Sequence, residues 1–328
     1  MLQYIIRRIL YMIPTLIAVS FISFTVMELP PGDFLTSRIT QMQMMGEFMR
    51  QDEIDALKRQ YDLDRPFYIR YVKWAWRALR GDFGVSLEWN KPVSQLIGMR
   101  LTLTVVISFV TILFIWAVAF PIGIYSATHQ YSPGDYLATF VGFVGLGVPD
   151  FMIALILLWF AFSRFGVNLG GLFSERFEEA PWSFAKFVDL VKHLWVPTIV
   201  LGMGGTAGLI RTMRANLLDE LRKPYVTTAR AKGLEETKAV LKYPVRVALN
   251  PFVSGLAYFL PGLISGAMII SVVLSLPTVG PMYLKALMSQ DMYLAGAFVL
   301  MLSVLTVIGT LISDILLAML DPRIVYES

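Results

Sequence analysis

Six long apolar tracts, separated by stretches that carry most of the charge, dominate the pattern of the chain. They occupy residues 9–27, 101–127, 136–163, 194–210, 252–276 and 294–320. A helix that crosses a bilayer needs about 20 predominantly apolar residues, with a range of roughly 17 to 25. The pattern therefore predicts an all-α integral membrane protein with six transmembrane helices.

The polar segments between the tracts differ in kind. Arg7 and Arg8 precede the first tract, which is too long for the apolar centre of a secretory signal, so we expect a retained helix. The long polar segment after it combines eleven Lys/Arg with nine acids and has aromatic residues at helical spacing. The predicted organisation is an N-terminal transmembrane helix (1–30), an extracytoplasmic helical subdomain (31–100), a core of five helices (101–320) with an inner loop (211–251), and a cytoplasmic tail (321–328).

The distribution of Lys and Arg predicts the orientation. Twelve lie in segments assigned to the inside and sixteen in segments assigned to the outside, eleven of the latter in 31–100. The positive-inside rule applies to short loops, whereas loops beyond about 60 residues are translocated largely regardless of charge. With 31–100 set aside, twelve inside against five outside places both termini in the cytoplasm.

Composition excludes several classes of function. Only 16% of the residues are charged, against about 25% in soluble proteins, so a soluble enzyme is improbable. The net charge of +4 is spread over membrane-flanking loops and does not indicate nucleic acid as a partner. There are no cysteines and two histidines, so the sequence predicts no disulfide, thiol nucleophile or metal site.

Motifs for nucleotide chemistry are also missing from the sequence. No Gly-x-x-x-x-Gly-Lys-Ser/Thr loop is present, so the chain is not expected to use ATP by itself. The stretch 202–207 fits a dinucleotide-binding glycine pattern, but it lies inside an apolar tract with no preceding strand. Its glycines, with Gly208, are better interpreted as small residues that let helices approach closely. We expect no catalytic residue in this chain.

Prolines and acids inside the apolar tracts are candidates for a transport path. Pro149 and Pro261 interrupt predicted spans, and Asp150 directly follows the first of them. Tolerated kinks are the simpler interpretation, but broken helices and intramembrane acids also line polar paths. Asp314, near the end of the last tract, is expected to have a structural role in an ion pair.

The inner loop is the most informative segment. Its pattern predicts an amphipathic helix that is stopped by Pro224, then a short helix over 225–232. Gly233 is expected to end this second helix in the left-handed conformation, and 235–249 is predicted to be helical again. Amphipathicity alone leaves two interpretations open, a loop that faces lipid headgroups and a rigid handle for a partner protein.

The sequence of this loop resembles that of a known family. Residues 225–234 read Tyr-Val-Thr-Thr-Ala-Arg-Ala-Lys-Gly-Leu, and Arg-Val-Ala-Leu-Asn-Pro follows at 246–251. Both resemble the cytoplasmic loop of permeases of binding-protein-dependent ABC importers, most closely the dipeptide/oligopeptide/nickel type. Matches in family order also occur at 29–33, 61–66, 80–86, Pro92-Val93, Asp314 and 320–323.

The chain departs from the family pattern in two places. The general loop signature is Glu-Ala-Ala, three residues, then Gly; here Thr227 and Thr228 stand at the first two positions and only Ala229 is kept. The second departure is the pair of prolines at 30–31 together with an insertion-like stretch at 36–52. These last features are similar to a subgroup associated with oligosaccharide uptake.

The resemblance implies the type I importer permease fold and a transport subunit in a bacterial or archaeal cytoplasmic membrane. A second, homologous permease would pair with this chain, two cytoplasmic ATPase subunits would bind ATP and Mg, and an extracytoplasmic binding protein would deliver oligopeptides, dipeptides or oligosaccharides. The chain itself would hold no cofactor. The residues implied in ATPase coupling are Tyr225, Thr227, Thr228, Ala229, Arg230, Ala231, Lys232, Gly233 and Leu234, and Asp314, Asp321 and Arg323 are implied as structural.

Two other classes of function compete with this one. An ion-coupled secondary carrier would work without ATPase subunits and would use an intramembrane acid such as Asp150. The absence of a recognisable inverted repeat argues against it. A membrane receptor or scaffold would bind partners without moving a solute.

Overall fold

A computed structural model describes residues 2–28, 39, 50, 52, 54, 65–86 and 88–320. Within these ranges the chain is helical, and the only β contact is an isolated bridge between Val85 and Pro92. The helices are α1 (Leu2–Glu28), α2 (Phe67–Ala78), α3 (Val93–Thr128), α4 (Pro133–Gly147), α5 (Asp150–Phe165), α6 (Glu175–Glu178), α7 (Phe184–His193), α8 (Trp195–Leu221), α9 (Pro224–Ala231), α10 (Glu236–Lys242), α11 (Pro244–Ala248), α12 (Asn250–Val273), α13 (Val279–Met288) and α14 (Met292–Leu320).

Several of these helices have the length and composition of membrane spans. Stretches of α1, α3 and α14 qualify as they stand, namely Ile6–Thr25, Val93–Thr128 and Met292–Leu317. Two bent pairs, α4 with α5 and α7 with α8, raise the number to five within the described part of the chain. Helix α12 coincides with the predicted tract 252–276 but is not among the five; the side chains of 256–261 and 263–266 lie outside those described.

The predicted continuous helix over 136–163 is wrong, because this tract is two helices bent by 97°. Val148 at the break has an extended backbone, with φ −97° and ψ 124°. A proline disfavours the helical conformation of the residue before it, and Pro149 follows here. Asp150 therefore begins a helix, and it does not lie in the middle of one as expected.

Several other helix boundaries in the structure differ from the predicted ones. Helix α3 begins at Val93, ahead of the predicted position 101, and α8 continues without interruption from the fourth apolar tract into the inner loop, as far as Leu221. The predicted helix over 235–249 is two short helices that meet at Tyr243, before Pro244. Only part of 31–100 can be compared with the prediction, and α2 is its principal described helix.

The chain divides into two compact units. The first contains Leu103–Pro277 and the described part of Ile308–Ser328. It holds two clusters of buried side chains, one formed chiefly by α3, α5, α8 and α12, and the other at the base of the inner loop. Because α8 contributes to both clusters, this helix connects the apolar interior to the loop.

The second unit contains Thr278–Val307 and the described part of Ile6–Thr102. Asp291 is fully buried there and accepts a hydrogen bond of 2.5 Å from the hydroxyl of Ser86. The same carboxylate accepts the backbone N–H groups of Glu88 and Leu294. Asp291 thereby caps the start of α14 and holds the segment around Ser86 against it.

Candidate functional site

The candidate site is the inner loop, and its first feature is the turn between α8 and α9. Lys223 is extended, with φ −73° and ψ 146°, as expected of the residue before Pro224. Pro224 is the first residue of α9, where its missing N–H costs no intrahelical bond. The sequence Lys-Pro therefore ends one helix and starts the next, as predicted.

The end of α9 is a Schellman motif centred on Gly233. Gly233 has a φ of 77°, the left-handed conformation expected from the sequence. Its N–H donates to the carbonyl of Arg230 at 2.9 Å, and the N–H of Leu234 donates to the carbonyl of Ala229 at 3.3 Å. These two bonds satisfy carbonyls that a helix end would otherwise leave unpaired.

The short helix α9 has a buried side and an exposed side. Val226 is fully buried and Ala229 is 6% exposed, three residues apart and thus on one face. The retained alanine of the family signature therefore packs inward. The predicted coupling residues that lie exposed are Tyr225, Thr227, Thr228, Arg230, Ala231, Lys232 and Gly233, whereas Leu234 is half-buried.

Two side-chain contacts connect α9 to its neighbours. The hydroxyl of Tyr225 donates to Oε2 of Glu220, in the last turn of α8, at 2.6 Å. Arg230 donates two hydrogen bonds to the carboxylate of Glu236, at the start of α10, at 2.9 and 2.5 Å. Each end of α9 is therefore tied to the helix that adjoins it.

These contacts change the acid–base properties of the groups involved. The guanidinium of Arg230 lowers the pKa of the Glu236 carboxyl, and Glu236 raises the pKa of Arg230 in return. Burial and the bond to Glu220 raise the pKa of the Tyr225 hydroxyl. All three groups therefore keep their charge states near neutral pH, with the ion pair formed and the tyrosine protonated.

The base of the loop packs against the end of α3. Met213 and Leu217 of α8 are fully buried with Ala127 of α3 and with side chains of α10, α11 and α12. Gly123 permits the close approach of α3 to α8, because a Cβ at this position would lie 2.7 Å from Cβ of Met213. The exposed helix α9 is thus carried on a well-packed support.

An ion pair between a buried carboxylate and a half-buried guanidinium connects this support to α4. Arg214 donates from Nε and Nη2 to the two carboxylate oxygens of Asp135, both at 2.9 Å. The Asp135 carboxylate also accepts the N–H of Tyr131 at 3.0 Å. Sequence reasoning missed this pair; Ser132, whose side chain caps Asp135 N–H, was the available signal, since Ser-x-x-Asp marks a helix start.

The candidate pathway residues lie elsewhere in the same unit. Pro149 and Asp150 stand at the break between α4 and α5, and the Asp150 carboxylate faces Gly204 of α8. A Cβ at Gly204 would lie 3.3 Å from Oδ1 of Asp150, whereas one at Gly208 would meet nothing within 4 Å. The predicted small-residue pair thus has one member at a close contact and one in open space.

The remaining predicted residues are less fully described. Pro261 lies within α12, but its side chain is outside the described ones. Asp314 is half-buried in α14, and Asp321 and Arg323 lie outside the described residues. In the described part of the chain, no group of three or more His, Asp and Glu side chains is placed to hold a metal ion.

These features define a class, a multi-pass helical membrane protein with a compact helix–glycine–helix loop. Comparison with known proteins gives the family. Residues 119–326 match the model for the binding-protein-dependent transport system inner membrane component, and the chain belongs to this family. It is therefore an inner-membrane permease component of an ABC importer and not an enzyme, and a system of this type implies ATPase and solute-binding partners.

The similarity to known proteins covers nearly the whole chain. The oligopeptide transport system permease protein AppB of Bacillus subtilis is 36% identical over 327 residues, which are 99% of this chain and 100% of that protein. The oligopeptide transport system permease protein OppB of Mycobacterium bovis is 29% identical over 331 residues, 99% of each chain. The peptidoglycan transport system permease protein YejB of Agrobacterium fabrum is 28% identical over 358 residues, 99% of this chain and 98% of that protein.

Proposed function

We propose that this chain forms half of the translocation path of an ATP-driven importer of oligopeptides. The observation that carries the proposal is the agreement between its sequence and oligopeptide permeases over 99% of the chain. One relative is named for peptidoglycan, which contains both peptide and sugar. Oligosaccharide is therefore the competing solute, in keeping with the features at 30–31 and 36–52.

The architecture that we propose has six transmembrane helices, with α12 as the fifth span and both termini in the cytoplasm. Residues 31–100 form an extracytoplasmic helical subdomain, and 321–328 form a cytoplasmic tail. The basic inner loop supports this orientation, because nine Lys/Arg against four acids lie in 211–251. A second, homologous permease completes the path, and Asp314, Asp321 and Arg323 have structural roles.

Coupling to ATP is assigned to α9. Two ATPase subunits bind ATP and Mg in the cytoplasm, and the exposed face of α9 docks on one of them. A helix with a fixed start, a fixed end and a buried inner face transmits a displacement as a rigid body. Residues 225–234 have this construction, since Pro224 and Gly233 define the ends and Val226 and Ala229 pack inward.

The path for the solute is assigned to the break between α4 and α5, and to Pro261 in α12. A broken helix leaves backbone carbonyls without partners, and such backbone is tolerated at membrane depth only beside protein or a water-filled cavity. Asp150 lies at this break, and an intramembrane acid is costly unless it faces the protein interior or water.

Reconstitution tests the proposal. The chain, its partner permease, the two ATPases and the binding protein are placed in lipid vesicles, and uptake of a radiolabelled pentapeptide is compared with uptake of a radiolabelled tetrasaccharide. We expect peptide uptake that requires hydrolysable ATP. Uptake driven by a proton gradient without ATP would instead indicate a secondary carrier, and uptake of the tetrasaccharide alone would overturn the peptide assignment.

A further inference from the structure

The short helix α9 is held by contacts that its role as a docking element does not require. Only two of its side chains, those of Val226 and Ala229, are buried. The turn to α8 consists of Arg222 and Lys223, both exposed. The packing of only two small or medium side chains determines the direction of a two-turn helix weakly. Other contacts must therefore fix the orientation of α9 relative to α8 and α10.

The contact at the start of α9 fixes that angle with respect to α8. Tyr225 lies directly after Pro224, and its hydroxyl reaches back over the turn to Glu220 at 2.6 Å. A short bond from a neutral donor to an ionised carboxylate is among the stronger hydrogen bonds in proteins. Because the tyrosine ring is rigid, this bond fixes the distance between the last turn of α8 and the first turn of α9.

The contact at the end of α9 fixes it with respect to α10. Arg230 and Glu236 are joined by two parallel bonds across the Gly233 turn. Bidentate pairing between a guanidinium and a carboxylate is directional, because both planar groups must be aligned. The two contacts thus define the orientation of α9 at both of its ends.

We infer that Tyr225–Glu220 and Arg230–Glu236 are a pair of positioning contacts that set the efficiency with which ATP hydrolysis drives transport. The inference rests on the proposed function of α9. Arg230 and Glu236 are exposed, with 44% and 63% of their side chains accessible, and exposed pairs contribute little to folding stability. The effect of the two contacts is to fix the orientation of α9. Their loss therefore decouples ATP hydrolysis from transport while the protein stays folded.

The experiment measures the ATP hydrolysed per pentapeptide imported by the complete complex in vesicles. Tyr225→Phe removes only the donor at one end of α9, and Glu236→Gln removes only the charge at the other. We expect Glu236→Gln to raise the ratio roughly two- to fivefold, the range that loss of an exposed ion pair allows, and Tyr225→Phe to raise it by a similar factor through the loss of one hydrogen bond. Binding of the ATPases to the membrane complex is measured in parallel, and it is expected to be unchanged in Glu236→Gln, because Glu236 lies outside α9.

A matched control and a rescue separate positioning from direct docking. Lys238→Gln removes the exposed pair Lys238–Glu235, 3.0 Å long, which lies in the same segment and joins two residues outside α9; the ratio is expected to stay at the wild-type value. Glu236→Asp is the rescue, because it keeps a carboxylate opposite Arg230 and leaves α9 unchanged; its ratio is expected to lie closer to wild type than that of Glu236→Gln.

Two results overturn the inference. One is an unchanged ratio in both Tyr225→Phe and Glu236→Gln. The other is a loss of ATPase binding in Glu236→Gln that Glu236→Asp does not restore, since this would make the Glu236 side chain part of the docking contact itself. If the wild-type complex shows no ATP-dependent peptide uptake, the proposed function fails first, and the two failures are therefore distinguishable.

Discussion

Arg214 and Asp135 form an ion pair with two hydrogen bonds. The pair joins two helices that begin 62 residues apart in the chain, at Pro133 and Trp195. Asp135 is 3% exposed, so its charge is compensated by Arg214 and by the backbone N–H of Tyr131 and hardly by water. Removing one partner of a buried pair leaves an uncompensated charge, which is the costly outcome. The pair connects α4 to the support of the coupling helix.

We therefore expect Arg214→Met to lower the free energy of unfolding by about 2–4 kcal/mol. This loss is smaller than that for a fully buried pair, because Arg214 is partly exposed. The measurement is the thermal unfolding midpoint of the purified chain in detergent. Lys238→Met, which breaks an exposed pair, is the control and is expected to leave the midpoint close to wild type. Equal midpoints for both variants would contradict the prediction.

A second prediction concerns Gly123. An added Cβ would lie 2.7 and 2.9 Å from Cβ and Cγ of Met213 and 3.3 Å from the carbonyl of Ile210, so two helix backbones must separate. Gly123→Ala is expected to destabilise the protein by about 1–3 kcal/mol, the usual cost of overpacking. Gly208→Ala is the matched control, because nothing lies within 4 Å of its added Cβ.

The two alanine variants are expected to shift the melting midpoint in opposite directions. In a helix interior, alanine is favoured over glycine by about 1 kcal/mol, so Gly208→Ala is expected to gain stability. A gain in both variants would mean that α3 and α8 do not approach closely at Gly123.

The third prediction tests the end of the coupling helix. Gly233 has a φ of 77°, whereas proline is fixed near −65° and has no N–H to donate to Arg230. Gly233→Pro is expected to abolish ATP-dependent uptake while the chain still inserts in the membrane. Gly233→Asn is the control and is expected to retain most uptake, since asparagine tolerates the left-handed conformation. Transport by the proline variant would refute the role of this turn.

The fourth prediction is a pH dependence at Asp82. Hydrogen bonds from Arg77, at 2.8 Å, and from the N–H of Gly84 hold the pKa of the Asp82 carboxyl below its ordinary value of 3.8. The unfolded chain then binds more protons between the two pKa values. The contribution of Asp82 to stability is therefore complete above pH 3.8 and disappears as the pH falls through the folded value.

This dependence is measured as the difference in melting midpoint between wild type and Asp82→Asn at several pH values. We expect wild type to be the more stable at pH 7 and pH 5, with the advantage shrinking as the pH falls below 3.8, where the unfolded chain takes up a proton that the folded carboxyl resists. A difference that grows towards acid pH would have the wrong sign and would exclude this assignment.

The fifth prediction concerns the break between α4 and α5. If Asp150 lines the solute path, Asp150→Asn is expected to reduce ATP-dependent pentapeptide uptake roughly tenfold, the size of one lost hydrogen bond to a charged group. Assembly with the ATPases is expected to be unaffected. Asp219→Asn, a change at an exposed acid of α8, serves as the control, and equal uptake in both variants would remove Asp150 from the path.

Much of the inner loop was predictable because its signals are local. Pro224 ends one helix and starts the next through its ring and its missing N–H, and Gly233 accepts a left-handed backbone that side chains resist. These effects act within a few residues, so they survive any tertiary arrangement. The division of 235–249 at Pro244 has the same local origin and was nevertheless missed.

The partners of polar side chains were not predictable in the same way. Asp135 and Arg214 are 79 residues apart in sequence, and many other cations are available to Asp135 in the sequence alone. Similarly, Gly123, Gly204 and Gly208 are equivalent as small residues in apolar helices. Which of them meets another helix depends on the rotation and crossing of helices, and these follow from packing over the whole unit.

The sequence by itself determined that this is a helical membrane protein, which family its loop resembles, and where the short helix α9 begins and ends. Apolar length, proline and glycine act along the chain, and water and lipid impose these consequences on any fold. Only the tertiary structure decided the pair Asp135–Arg214 and the contacts from Glu220 and Glu236 that orient α9. Those features depend on distances between side chains, and such distances exist only once the helices have packed.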